Sequence, residues 1–128
     1  MIRSVRGFVA RGGRVLAECG GMMYLCRSIV GMDGGRYPVC GVLDLDASME
    51  QMRLRMGYRR VVADGREFRG HEFHYSRIEG DLPSAARQYN ASGDEVATPL
   101  YRTGNVVAGY THLYWGETDP LELFDGKG

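Results

Sequence analysis

The chain has 128 residues, 44% apolar and 25% charged, the make-up of one ordinary globular domain with a core of its own. Lysines and arginines number 16 and acidic residues 16, so no net charge points to a nucleic-acid partner. Apolar runs are too short for a membrane span, and Met1-Ile2-Arg3-Ser4-Val5-Arg6 offers no apolar leader core, so a cytoplasmic location is expected.

Met1 to Arg11 reads as a helix with Ile2, Val5, Phe8 and Val9 to one side, ended by Gly12-Gly13. Val15 to Ala17 reads as a short buried strand, and Met22 to Ile29 has helical spacing through Met22, Tyr24, Leu25 and Ile29. A loop at Gly31 to Gly35 leads to a strand over Tyr37 to Leu43, with Pro38 near its start, where a missing N–H is tolerated. Strict alternation from Met52 through Leu54 to Met56 predicts another strand, broken at Gly57 and resumed from Tyr58 to Ala63. Asp64-Gly65 is a tight-turn pair, and Phe68 to Ile78 is extended. Asp81 to Asp94 reads as polar loop. Val96 to Tyr101 and Val106 to Trp115 read as a hairpin through Arg102-Thr103-Gly104-Asn105. The tail carries Asp119-Pro120 and a short apolar turn, Leu121 to Phe124. An α/β start before a strand-rich second half implies a sheet with a parallel centre and antiparallel additions.

The chemistry concentrates in Ala17-Glu18-Cys19-Gly20-Gly21-Met22-Met23-Tyr24-Leu25. A thiol between a strand and a helix, followed by two glycines, sits where the backbone can turn sharply and approach a ligand, and where a helix's amino end favours a thiolate. A free cysteine there equally suits a small packing residue in an α/β turn. Cys26 and Cys40 read as packing residues, because three cysteines without metal-like clustering imply neither a disulfide framework nor a metal site. The only lysine, Lys127, lies beside the carboxyl end, which argues against Schiff-base chemistry and a phosphate-loop lysine.

A base for the thiol must come from His71, His74 or His112. In His71-Glu72-Phe73-His74-Tyr75-Ser76, strand alternation puts His71, Phe73 and Tyr75 on one face and Glu72, His74 and Ser76 on the other. That polar density suits a half-exposed site wall. His112 lies toward the end of an apolar, aromatic strand, where an imidazole either satisfies itself in the core or shuttles a proton for a thiol distant in sequence.

The segments around Cys19, Gly57-Tyr58, Arg69-Gly70-His71-Glu72-Phe73-His74-Tyr75-Ser76 and Gly109-Tyr110-Thr111-His112-Leu113 resemble, in order, the glutaminase domain of cobyrinic acid a,c-diamide synthases. These belong to the class I glutamine amidotransferases of the cobalamin pathway. The resemblance implies a flavodoxin-like α/β fold hydrolysing glutamine to glutamate and ammonia. Cys19 would then be the nucleophile, His112 the general base and acid, and the Gly20 N–H an oxyanion donor. His71, Glu72, His74, Tyr75 and Ser76 would line the glutamine pocket or the face where ammonia is handed on. It implies no metal or cofactor on this chain. ATP and Mg2+ belong to a synthetase domain, the expected partner, which also presents the corrinoid.

The chain departs from the family at three points. Class I relatives commonly carry a glutamate two residues after the catalytic histidine, where Tyr114 stands; backbone, or another carboxylate such as Glu72 or Glu117, is then left to orient His112. The family's earlier strands, with a glycine-rich loop supplying a second oxyanion donor, have no counterpart, and neither does the ATP-binding domain. The expected unit is therefore the carboxyl-terminal portion of an amidotransferase domain, with an exposed sheet edge and a tendency to self-associate. A non-catalytic copy, or an amidase for a related tetrapyrrole, is the alternative.

Overall fold

The computed structural model describes residues 1–50, 53–114 and 123–124. Its first helix, α1 (Ile2–Ala10), ends where a Schellman arrangement stops it: Gly12 N–H donates to Val9 O at 2.9 Å and Gly13 N–H to Phe8 O at 3.0 Å. Gly12 takes φ +84, which a glycine adopts without strain, and the Phe8 ring covers Gly13 so closely that a Cβ there would meet it at 2.2 Å. The two glycines therefore have different tasks, one conformational and one steric. Val5 and Val9 lay the helix on the core.

Strand β1 (Val15–Glu18) follows, then α2 (Gly20–Leu25), shorter than the helical spacing to Ile29 predicts. Cys26 leaves the helix with ψ 171, and Ser28–Val30 becomes β2, pairing in parallel with β4 (Asp46–Ser48). Tertiary pairing of β-branched Ile29 and Val30 overrides local helical periodicity. The predicted strand at Tyr37 to Leu43 is likewise cut to β3 (Arg36–Pro38), because the next residues cap α2 instead. Cys40 N–H donates to Tyr24 O at 3.1 Å, and Val42 and Leu43 N–H groups both reach Leu25 O at 2.9 Å. Carbonyls orphaned at the helix end are satisfied this way.

Strand β5 (Arg55–Ala63) runs through Gly57 without a break, against expectation. Gly57 stands opposite Glu72 in register, and the Arg59 guanidinium fills the space its missing side chain leaves, 3.1 Å from an ideal Cβ. Asp64 (φ 52) and Gly65 (φ 77) make the tight turn into β6 (Arg66–His74). The extended run then divides: β7 (Arg77–Glu79) leaves for another sheet to pair with β4. Inside the stretch read as loop lies β8 (Arg87–Tyr89), paired with β5 and β9 (Glu95–Val96). Its Gln88 is fully buried, with its amide donating to Pro99 O and its carbonyl accepting from the Thr111 hydroxyl, so a polar sequence here marks a satisfied interior strand.

The predicted hairpin forms from β10 (Leu100–Thr103) and β11 (Val106–Gly109), but the chain then changes sheets, and His112 and Leu113 form β12. Among the described residues the strands thus make three sheets, β1-β11-β10, β12-β6-β5-β8-β9 and β3-β2-β4-β7, with parallel pairing in β1·β11 and β2·β4. The mixed α/β architecture with a strand-rich second half is as expected. Strand β11 divides the core: Val106 and Ala108 join Met22, Leu25, Leu43 and Leu45 on one side, while Val107 joins Val61, Phe68 and Leu113 on the other. Among the described residues no helix is long and apolar enough to cross a membrane.

Candidate active site

Cys19 occupies the sharp turn from β1 into α2 with φ 53 and ψ −110. The left-handed turn falls on the cysteine itself and not on Gly20 or Gly21, contrary to the reason the glycines suggest. Such a conformation costs a non-glycine residue on the order of 1–3 kcal/mol and persists only where its surroundings impose it. Here Cys19 N–H donates to Gly109 O at 2.8 Å, and Met23 N–H donates to Cys19 O at 3.1 Å. Gly20 contributes room: a Cβ there would meet nothing within 4 Å. The half-buried thiol faces Phe73 O on β6 at 3.9 Å.

His112 is reached by a different strand and arrives at the same place. It pairs in register with His71 of β6, and Tyr114 N–H bonds Arg69 O at 2.8 Å. Its side chain is 52% exposed, so it is no buried core imidazole. Cys19 and His112 therefore both rest on residues 71–73 of β6, although 93 positions separate them in the sequence. A Cβ at Gly70 would lie 2.4 Å from His112 O, so that glycine is what lets β12 approach.

The alternation predicted for residues 71 to 76 holds, with a sharper outcome than a half-exposed wall. Phe73 and Tyr75 are 45% and 46% exposed, whereas Glu72, His74 and Ser76 are buried in a polar network. Glu72 accepts from Arg59 Nε at 2.7 Å and from the Thr98 hydroxyl at 2.7 Å, and meets His74 Nε2 at 2.5 Å. Burial alone would raise the Glu72 pKa, but the hydrogen bonds from His74, Thr98 and Arg59 and the guanidinium charge outweigh it, drawing it down to about 2. His74 Nδ1 donates to Ser76 O at 2.9 Å, and its ring stacks on Tyr110. Burial pushes the Tyr110 phenol well above its usual range, opposed by its 2.7 Å bond with the Ser76 hydroxyl and reinforced by the Cys19 thiol.

Glu72, His74, Tyr75 and Ser76 line a cavity of about 630 Å³, rimmed by arginines including Arg53 and Arg55. Cys19, His71 and His112 do not line it, whereas Tyr110, stacked on His74 and bonded to Ser76, does. Glu72, a candidate to orient His112, is committed to Arg59, Thr98 and His74, while Glu117 lies outside the described residues. The carboxylate that reaches β12 is Glu18, which sequence reasoning passed over: its Oε2 accepts the Leu113 N–H at 2.8 Å and its Oε1 lies 3.8 Å from His112 Nδ1. An acidic residue closing an apolar strand directly before Cys19 was the available signal. Arg59, Thr98 and Tyr110 were also missed, since their importance arises only from strand pairing.

Cys26 and Cys40 are fully buried. Desolvation pushes the Cys26 thiol up to about 12 and raises that of Cys40, so both behave as packing residues, as their sequence context suggested.

The sequence profile of the CobB/CobQ-like glutamine amidotransferase domain matches residues 1–120. A cobyrinate a,c-diamide synthase of Caldanaerobacter subterraneus is 40% identical over 122 residues, covering 88% of this chain and 27% of that protein. A hydrogenobyrinate a,c-diamide synthase of Stutzerimonas stutzeri is 34% identical over 121 residues, covering 94% of this chain and 28% of that protein. The chain thus spans about a quarter of the length of these curated relatives. A solved glutamine amidotransferase superposes with a TM-score of 0.55 at 26% identity, covering 87% of this chain and 58% of that one. With a cysteine on a strained turn from β1 into α2 and a histidine paired beside β6, the strand that the cysteine thiol also faces, the chain belongs to the CobB/CobQ-like glutamine amidotransferase domain family.

Proposed function

We propose that this chain is the glutamine-hydrolysing part of an ATP-dependent cobyrinate a,c-diamide synthase, releasing ammonia to amidate corrinoid carboxylates in cobalamin biosynthesis. The observation that carries the reading is the anchoring of Cys19 and His112 on one stretch of β6. In the proposed mechanism His112 takes the thiol proton as Sγ attacks the side-chain amide carbon of glutamine. The Gly20 N–H donates to the resulting oxyanion, a contribution of about 3 kcal/mol in comparable sites. The C–N bond breaks as the proton passes to nitrogen, and ammonia leaves a glutamyl thioester. Water, deprotonated by His112, cleaves that thioester to glutamate and restores the thiol.

Glu72, His74, Tyr75 and Ser76 are assigned to the wall of the cavity through which ammonia passes, since neither Cys19 nor His112 lines it. His71, Phe73 and Tyr75 face outward beside His112, and that face is assigned to the ATP- and Mg2+-binding synthetase partner that presents the corrinoid. The hydrogenobyrinate synthases among the relatives support a second reading of the acceptor, a metal-free corrinoid.

Ammonia release from glutamine is to be assayed for the chain alone and with a synthetase partner, in wild type and Cys19→Ala, followed by transfer to a panel of tetrapyrrole carboxylates. Release that depends on Cys19 is expected. Release that survives Cys19→Ala overturns the nucleophile, and a folded chain inactive in every setting establishes the non-catalytic alternative.

A further inference from the structure

We infer that Glu18 is the positioning residue for His112, a role resting on the reading of Cys19 and His112 as nucleophile and base. Glu18 is the last residue of β1, so the side chain that steers the base precedes the nucleophile by one position. Its carboxylate touches two consecutive residues of β12. Oε2 accepts the Leu113 N–H at 2.8 Å, which fixes the group in place, and this leaves Oε1 3.8 Å from His112 Nδ1, within ion-pair reach. The carboxylate is 20% exposed while the imidazole is 52% exposed, so the anchored partner is the one that sets the geometry.

A carboxylate at Nδ1 does two things for an imidazole base. It favours the tautomer with hydrogen on Nδ1, leaving the Nε2 lone pair free for the thiol proton, and it stabilises the imidazolium that follows. Among the described residues, His71, its register partner on β6, supplies no negative charge at Nδ1, and the Cys19 thiol is directed at Phe73 O. Sheet pairing reinforces the link, because Glu18 stands opposite Gly109 in the parallel register and the Cys19 N–H bonds Gly109 O. Nucleophile, base and positioning carboxylate are thereby tied to the same few residues of β1, β11 and β12.

The test uses Glu18→Gln, which keeps an oxygen acceptor for the Leu113 N–H and removes the charge. Steady-state glutamine hydrolysis is measured with the synthetase partner present, alongside Cys19→Ala and His112→Ala, and the tautomer of the His112 ring is read from its nitrogen NMR shifts. A kcat reduced roughly 10²-fold is expected, less than the ~10⁴-fold loss at a buried triad carboxylate, with KM for glutamine within about twofold of wild type. The share of the neutral ring carrying its hydrogen on Nδ1 is expected to fall when the neighbouring negative charge is lost. Wild-type kcat with an unmoved tautomer ratio, while Cys19→Ala and His112→Ala are dead, overturns the role of Glu18 alone. Lower activity with an unmoved tautomer ratio and a lower Tm assigns Glu18 to structure and also overturns it. Full activity in Cys19→Ala and His112→Ala removes the underlying reading, and the inference with it.

Discussion

His74 lies flat against Tyr110, ring centroids 3.5 Å apart and planes within 7° of parallel. The stack fastens β6 to the short segment between β11 and β12, and so fixes how the chain approaches His112. Tyr110→Phe keeps the stack and loses the bond to Ser76, which retains Met23 Sδ as a partner at 3.3 Å. It is expected to cost about 1 kcal/mol. Tyr110→Ala loses the stack as well, and about 3–5 kcal/mol. Denaturant titration of the two variants checks the order; equal losses would show that the ring contact contributes nothing.

Glu72 makes stability depend on acid. Its folded pKa of about 2 lies below the ordinary 4.5, so its contribution is fully present above about pH 4.5 and is lost as pH falls toward 2. The size is on the order of 3 kcal/mol. Asp46 adds to the same trend, lowered chiefly by the Ser28 hydroxyl against the effect of burial, with Arg27 and Arg36 assisting. At pH 7, Glu72→Gln leaves the Arg59 guanidinium, 10% exposed, without its carboxylate, and about 3 kcal/mol of destabilisation is expected. Urea midpoints measured from pH 7 to pH 2.5 should fall less steeply in the variant than in wild type; parallel curves would refute the assignment.

Alkylation should discriminate among the three thiols. Cys19 is half-buried, whereas Cys26 and Cys40 expose nothing. Iodoacetamide on the native chain is expected to label Cys19 first, with Cys26 and Cys40 labelled only after denaturation. Mass spectrometry of peptides settles the order, and early modification of Cys40 would contradict the packing described.

Gly70 carries the contact that seats His112. A methyl there would lie 2.4 Å from His112 O and 2.7 Å from Thr111 Cγ2, so β12 must shift. Gly70→Ala is expected to cost about 1–3 kcal/mol and to lower glutamine hydrolysis more than glutamine binding. Unchanged kcat would mean that the position of β12 does not govern the chemistry.

Much of this arrangement was legible in the sequence, and the failures have physical causes. The turn at Cys19, the tight turn at Asp64-Gly65, the β10–β11 hairpin and the two faces of β6 follow from local rules of chirality, turn chemistry and pleat. The helix extended to Ile29, the strand drawn to Leu43, the break at Gly57 and the loop over β8 all failed where a partner distant in sequence decided the outcome. Gly57 continues a strand because Arg59 occupies its vacant space, and Gln88 sits inside because Pro99 and Thr111 complete its amide. The site shows the same division. Cys19, Gly20 and His112 are marked by their own neighbours, whereas Glu18, Arg59 and Tyr110 acquire meaning only when strands come together.

The backbone at Cys19 has a further consequence for how the molecule could be altered. At φ 53 and ψ −110 an alanine inherits the same discomfort as the cysteine, while glycine is at ease. A variant with glycine in place of the sulfur should therefore outlast the alanine variant on heating, and neither would keep the thiol. The chain holds this sulfur at a spot its own folding would rather leave bare.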